Sequence, residues 1–349
     1  MKTVIEDMRT EIDGEKMVRA GEVLKGGGLV AFPTETVYGL GANALDEKAS
    51  AKIYAAKGRP SDNPLIVHIA KMEDLYAIAE EVPEKAKMLA EKFWPGPLTM
   101  IFKKKPVVPY GTTGGLDTVA VRMPDHKVAL ELIAAGGGYV AAPSANTSGR
   151  PSPTKACHVA EDMDGRIDLI IDGGDVGIGV ESTIVDMSGE MPMILRPGYI
   201  NQQMLEDVIG PVEVDPTLLR SDCKERPKAP GMRYKHYAPK ADLMIVEGAQ
   251  DAVVEKINEL VLAELARGKM PGVIASDETC ARYTTGGLLK SMGSRADELS
   301  ISRHLYSVLR EFDEENVSVI YSEAFETPNL GQAIMNRLIK AAGHQIIRV

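Results

Sequence analysis

The chain has 349 residues, 44% of them apolar and 26% charged, as expected of a soluble globular protein with about two or three domains. Its net charge of −10 argues against a broad nucleic-acid footprint or attachment to an anionic membrane, and leaves room only for a local basic patch. Three scattered cysteines (Cys157, Cys223 and Cys280) without a CxxC make neither a disulfide framework nor a zinc site, and no HxxxH or HExxH joins the histidines. No apolar run approaches a membrane span and the first residues lack the apolar core of a leader, so a cytoplasmic location is expected.

In chain order, a helix is predicted at 15–24 and a strand at 28–32 (GLVAF), followed by a helix at 47–56 and a strand at 65–69 (LIVHI). A helix at 84–93 precedes strands at 98–102 (LTMIF) and 118–123 (TVAVRM). Next come a helix at 126–135, a strand at 139–142 (YVAA) and a helix at 154–163, with Ser152 or Thr154 as its N-cap. Strands at 169–172, 182–186 and 193–196 follow. Strands outnumber helices and several succeed one another directly, which predicts an α/β domain on a mixed sheet, not a doubly wound one.

A short helix is expected at 201–209. Prolines at 211, 216, 227, 230 and 239 then mark a linker with little apolar periodicity. Beyond it, strands at 243–247, 272–276 and 317–321 alternate with helices at 251–267, about 298–314 and about 330–341, a small Rossmann-like βαβ domain on a parallel sheet. The expected division is a catalytic domain at 13–205, a linker or lid at 206–241 and a small α/β domain at 242–349.

The stretch YAAKGRPSDNPLIVHI (54–69) places Lys57, Arg59, Asp62, Asn63 and His68 around Pro60 and Pro64. Stiff backbone carrying fixed cations suits a small anion. The plainer alternative is a solvated helix end whose cations offset the helix dipole. Nothing matches GxxxxGK[ST], and GDVGIGVEST (174–183) lacks the GxGxxG spacing and precedes a strand, so a nucleotide site here must use side chains from several loops. Such loops are FPTETVYGLGANA (32–44), AAPSANTSGRPSPT (141–154), GVESTIVD (179–186), LRPGY (195–199) and APGMRYKHYAP (229–239). Thr118 and Arg122, four apart on one strand, face the same side. An arginine in an apolar strand needs an anion, either an internal partner such as Glu35 or Glu181 or a ligand. His68, in the apolar run LIVHI, reads by itself as a core histidine before a site residue.

Lys57-Gly58-Arg59 as KxR, Ser144-Ala145-Asn146 as SxN, FPTETVYGLG, NPLIVHI, WPGPLT, VAVRMP and GVESTIVD together resemble the YrdC-type L-threonylcarbamoyladenylate synthase family. The APGMRYKHYAP linker and the C-terminal α/β domain resemble its long two-domain form. The resemblance implies a twisted mixed sheet and a nucleotidyltransferase reaction. L-Threonine, bicarbonate or CO2 and ATP would give L-threonylcarbamoyl-AMP and pyrophosphate. The product would pass to a tRNA threonylcarbamoyl transferase complex, with weak tRNA contact as an option.

The resemblance places threonine at Thr36, His68, Arg122, Ala142 and Ser182. It places ATP at Lys57, Arg59, Asn63, Thr118, Ser144, Asn146, Ser152, Arg196 and Tyr234. Lys57, Arg59, Ser144 and Asn146 would surround the triphosphate as the catalytic set, and Mg2+ would be held mainly by the phosphates. A Tyr234 contact would make the linker a lid. The alternatives are a carbamoyl-adenylate-forming relative, a double-stranded-RNA or tRNA binder, and a threonine or ATP sensor.

Overall fold

The structure, a computed structural model, describes residues 2–219, 237–284 and 286–349. The described residues form two compact units. The first holds 2–148, Ser152–Gly177 and 181–219. The second holds Gly149–Pro151, Ile178–Val180 and the described part of 237–349.

The first unit begins with β1 (Val4–Asp7), α1 (Gly14–Lys25), β2 (Val30–Phe32), β3 (Gly39–Asn43), α2 (Glu47–Lys57) and β4 (Ile66–His68). It continues through α3 (Met72–Ile78), α4 (Glu84–Phe93), β5 (Leu98–Lys103), β6 (Thr118–Arg122), α5 (Lys127–Ala135) and β7 (Val140–Ala142). It ends with α6 (Ala156–Met163), β8 (Leu169–Asp172), β9 (Thr183–Asp186), β10 (Met193–Arg196), α7 (Gln202–Ile209) and β11 (Glu213–Val214). All strands predicted in this part form, within a mixed sheet ordered β1-β8-β2-β3-β7-β4-β6-β5-β9-β10-β11.

The α6 cap differs from expectation. Its N-cap residue is Lys155, which makes no side-chain cap bond. The Ser152 hydroxyl instead donates to Glu181 (2.6 Å), and Thr154 turns its own toward His158.

The alternation along the strands decides where a site can lie. Val119, Val121 and Met123 enter the main core with Ile53 of α2, Leu89 of α4 and Leu205 of α7. Burying each such side chain stabilises the fold by about 1.5–3 kcal/mol. The opposite face divides in two. Over β8, β2 and β7, α1 and α5 cover it with Leu24, Val128 and Leu132 against Val30, Phe32 and Val140. Over β4, β6, β5, β9 and β10, the apolar cluster Ile66, Ala120, Ile101, Ile184 and Leu195 is drawn from strands alone among the described residues. The helical cover stops between Phe32 and His68, which meet edge to face at 6.0 Å between ring centroids.

The second unit comprises β12 (Asp242–Glu247), α8 (Gln250–Ala266), β13 (Pro271–Ala275), β14 (Leu288–Ser291), α9 (Glu298–Glu314), β15 (Val319–Glu323), α10 (Gly331–Ala341) and β16 (Ile346–Arg348). Its sheet is wholly parallel, in the order β14-β13-β15-β12-β16. Alternation of strand and helix produces this arrangement, because parallel neighbours need long crossovers. Among the described residues no helix is long and apolar enough to cross a membrane.

Candidate active site

The strand register brings one set of the predicted side chains onto the face that lacks helical cover. His68 pairs with Arg122 across β4 and β6, and Arg122 pairs with Thr99 across β6 and β5. Thr99 Oγ1 lies 2.8 Å from Ser182 Oγ, just before β9. Partners in register point to one face, so His68, Arg122, Thr99 and Ser182 form a polar row where the strands leave the apolar cluster. Arg196 of β10 completes the row, donating from Nη2 to Ser182 Oγ (3.1 Å) and from Nε to the Ser182 carbonyl (3.0 Å).

The loop after β2 closes on this row. Thr34 Oγ1 accepts from the amides of Thr36 (3.2 Å) and Val37 (3.3 Å) and donates its proton to the Val37 carbonyl (2.7 Å). Thr36 Oγ1 must therefore be the donor in its 2.9 Å contact with Thr34, which leaves it free to accept from Arg122 Nη1 at 2.9 Å. The chain of hydroxyls fixes the guanidinium, whose Nε also donates to the Gly96 carbonyl (3.3 Å). Arg122 Nη2 faces Glu35 Oε2 at 2.7 Å. Of the two internal anions expected for Arg122, the structure supplies Glu35, while Glu181 holds Ser152.

Burial pushes the pKa of His68 down to about 3, with the Arg122 charge adding to the effect, so the imidazole is neutral at physiological pH. Its Nδ1 lies 3.1 Å from the Ile66 carbonyl.

A second group gathers at the other end of the same strands. Lys57 is the last residue of α2. Gly58 ends the helix with φ of 62°, a left-handed conformation that glycine adopts without strain. The turn buries Lys57 to 1% exposure. Its ammonium donates to the carbonyls of Ser144 (2.5 Å) and Asn146, and Ser144 Oγ donates to Asn146 Oδ1 (2.5 Å). The lysine of KxR and the serine and asparagine of SxN are thus one cluster. Gly39 bridges to Ser144, and the Ala145 amide donates to the Tyr38 carbonyl, which anchors the SxN loop beside β3.

Arg59 reaches back to the carbonyls of Asn63 (3.4 Å) and Pro64 (3.2 Å). Asn63 is buried, and its Oδ1 accepts no hydrogen bond. Ile66 pairs with Ala120 on one side and with Ala142 on the other. Extending that register by two residues sets Pro64 beside Thr118 and Ser144. Thr118 opens onto a cleft of about 520 Å3 that it shares with Lys103, Lys104 and Ser188. Thr118 and Arg122 are four residues apart along β6, about 13 Å of strand backbone. Ala142 lies in the middle row between them.

Arg196, matched in sequence to the nucleotide side, stands at the Arg122 end. Tyr234 lies outside the described residues. Thr34 belongs to the FPTETVYGLGANA loop expected at the site, whereas Thr99 is a site residue that the sequence reading does not include. The signal for Thr99 is a lone hydroxyl in the apolar run LTMIF.

Comparison with known proteins gives two family matches. Residues 22–198 match the Sua5/YciO/YrdC model described as "Telomere recombination". Residues 200–343 match the model described as "Threonylcarbamoyl-AMP synthase, C-terminal domain". The threonylcarbamoyl-AMP synthase of Pyrococcus abyssi is 50% identical over 347 residues, covering 99% of this chain and 100% of that protein. That of Bacillus subtilis is 51% identical over 334 residues, covering 95% and 94%. The crystal structure of P. abyssi Sua5 complexed with L-threonine superposes with a TM-score of 0.94 at 49% identity, covering 99% of this chain and 100% of that one.

Proposed function

Since the chain belongs to the Sua5/YciO/YrdC family, in the form that carries the threonylcarbamoyl-AMP synthase C-terminal domain, we propose that it condenses L-threonine, bicarbonate or CO2 and ATP into L-threonylcarbamoyl-AMP, releasing pyrophosphate. The product serves threonylcarbamoyladenosine modification of tRNA through a separate transferase complex, in the cytoplasm. The observation that carries this reading is the pairing of two preformed polar groups on one sheet, one organised by Arg122 with Thr36 and one by Lys57 with Ser144 and Asn146.

At one end Arg122 offers a fixed guanidinium to an amino-acid carboxylate. Thr36, Ser182, neutral His68 and the backbone at Ala142 surround it as the threonine side. At the other end Lys57, Arg59, Ser144 and Asn146 take the triphosphate. Asn63, Thr118 and Ser152 serve the rest of the nucleotide; the sequence resemblance adds Tyr234 and Arg196, although Arg196 stands with Ser182 at the Arg122 end.

The amine of threonine must be neutral to attack CO2 and form a carbamate. A carbamate oxygen then attacks the α-phosphorus, and pyrophosphate leaves. Negative charge grows on the phosphoryl oxygens and the leaving group, so immobile donors and cations supply most of the rate. Lys57 is suited to this, because its ammonium is already held by carbonyls and needs little reorganisation. Among the described residues no three His, Cys, Asp or Glu side chains converge on a metal position. This fits Mg2+ carried by the phosphate oxygens and water, where it would offset their charge.

The test is pyrophosphate release from ATP with threonine and bicarbonate omitted in turn. Release that needs both is expected. Release without threonine would point instead to carbamoyl-type chemistry.

A further inference from the structure

One charged group at the Arg122 end has no role in the scheme above. Glu35 lies between the two threonines of the FPTET loop, and its side chain is 12% exposed. Its Oε2 is 2.7 Å from Arg122 Nη2, yet neither carboxylate oxygen accepts a hydrogen bond and Nη2 donates none. The two charges touch without the alignment that a bidentate pair would have. Every other Arg122 contact is directional, to Thr36 and Gly96. A nearly buried carboxylate that accepts nothing is costly unless a donor arrives. His126 is the other titratable group facing it; burial pushes its pKa down, and its Nδ1 is likewise without a hydrogen bond. His68 faces Arg122 and is neutral.

An α-amino acid carries its ammonium on the carbon next to its carboxylate. A ligand whose carboxylate takes Arg122 therefore brings three N–H donors within reach of a carboxylate that already touches that guanidinium. From this juxtaposition we infer that Glu35 is the ammonium-side half of a zwitterion clamp and the acceptor of the amine proton. The inference rests on the threonine reading of the Arg122 end. In the ligand-free enzyme Glu35 neutralises Arg122. When substrate binds, the ligand carboxylate takes over that role and Glu35 turns its free oxygens to the ammonium. It then takes one proton: an N–H bond breaks, an O–H bond forms on Glu35, and +1 and −1 become two neutral groups. The amine lone pair is left available for the CO2 carbon.

The test uses the full chain with two ligands, L-threonine and its α-hydroxy analogue, in which a hydroxyl replaces the amine. Binding is followed by calorimetry for the wild type and Glu35→Gln, and turnover by threonine-dependent pyrophosphate release. Glu35→Gln should weaken threonine by about tenfold or more, leave the analogue unchanged or tighter, and lower turnover by about a hundredfold. Retained analogue binding also shows that the variant is folded. Glu35→Asp, which keeps the charge on a shorter arm, should recover part of the preference for threonine over the analogue. Tightening of both ligands in Glu35→Gln would overturn the inference, since Glu35 would then be only a competing internal anion. Unchanged threonine affinity and turnover would also overturn it. If wild type binds neither ligand, the threonine reading itself fails, and the clamp with it.

Discussion

Lys57 and His68 show how burial changes what a polar side chain can do. Lys57 is held by carbonyls from the SxN loop, so its removal deletes both a phosphate-side charge and the donor for one buried and one part-buried acceptor. Lys57→Ala should lower pyrophosphate release by at least about a hundredfold. It should also cost about 1–3 kcal/mol of stability, read from urea unfolding. Activity close to wild type would exclude Lys57 from the reaction. His68 makes a pH prediction whose sign is fixed by its lowered pKa. Between about pH 6.5 and about pH 3 the unfolded chain binds a proton that the folded chain refuses. This contribution is thus fully present above about 6.5 and is lost as pH falls toward 3. His68→Phe should flatten the decline of unfolding free energy across that window, by up to a few kcal/mol. An unchanged slope would mean that His68 protonates freely in the folded state.

At the scale of elements, β3 and β4 connect packing to the site. β3 reads GLGAN, a poor strand sequence by propensity, which is why it was not legible as one. It forms because its glycines leave room for neighbours: a Cβ on Gly41 would lie 2.8 Å from Val140 Cγ1 and 3.0 Å from the Phe32 ring. Gly41→Ala should cost about 1–3 kcal/mol through overpacking. Because Phe32 rests edge-on against His68, the displacement should also raise KM for threonine more than KM for ATP. Equal effects on both would argue against that route. α3 and β14 were also missed, one being only seven residues long and the other four. The predicted cap of α6 failed because Ser152 and Thr154 have stronger partners in Glu181 and His158, which lie far away or a turn ahead and cannot be weighed from a local motif.

At the scale of the molecule, period-two apolar runs made the central strands legible, and alternation of strand and helix made the second sheet legible as parallel. The order of the eleven strands was not, because pairings such as Val4 with Leu169 join distant segments and leave no local trace. The site followed the same division. Arg122 was readable by itself, since an arginine in an apolar strand needs an anion, whereas KxR and SxN became legible as a site only through the family resemblance that they carry. The grouping of the site residues into two sets on one sheet depended on register, as did the choice of Glu35 over Glu181 beside Arg122. The most direct measurement of the central claim is mass spectrometry of the adenylate formed from ATP, L-threonine and bicarbonate labelled at carbon. The account predicts L-threonylcarbamoyl-AMP carrying the label, with one pyrophosphate released per adenylate. An adenylate without threonine, or AMP and pyrophosphate with no labelled adenylate, would contradict it.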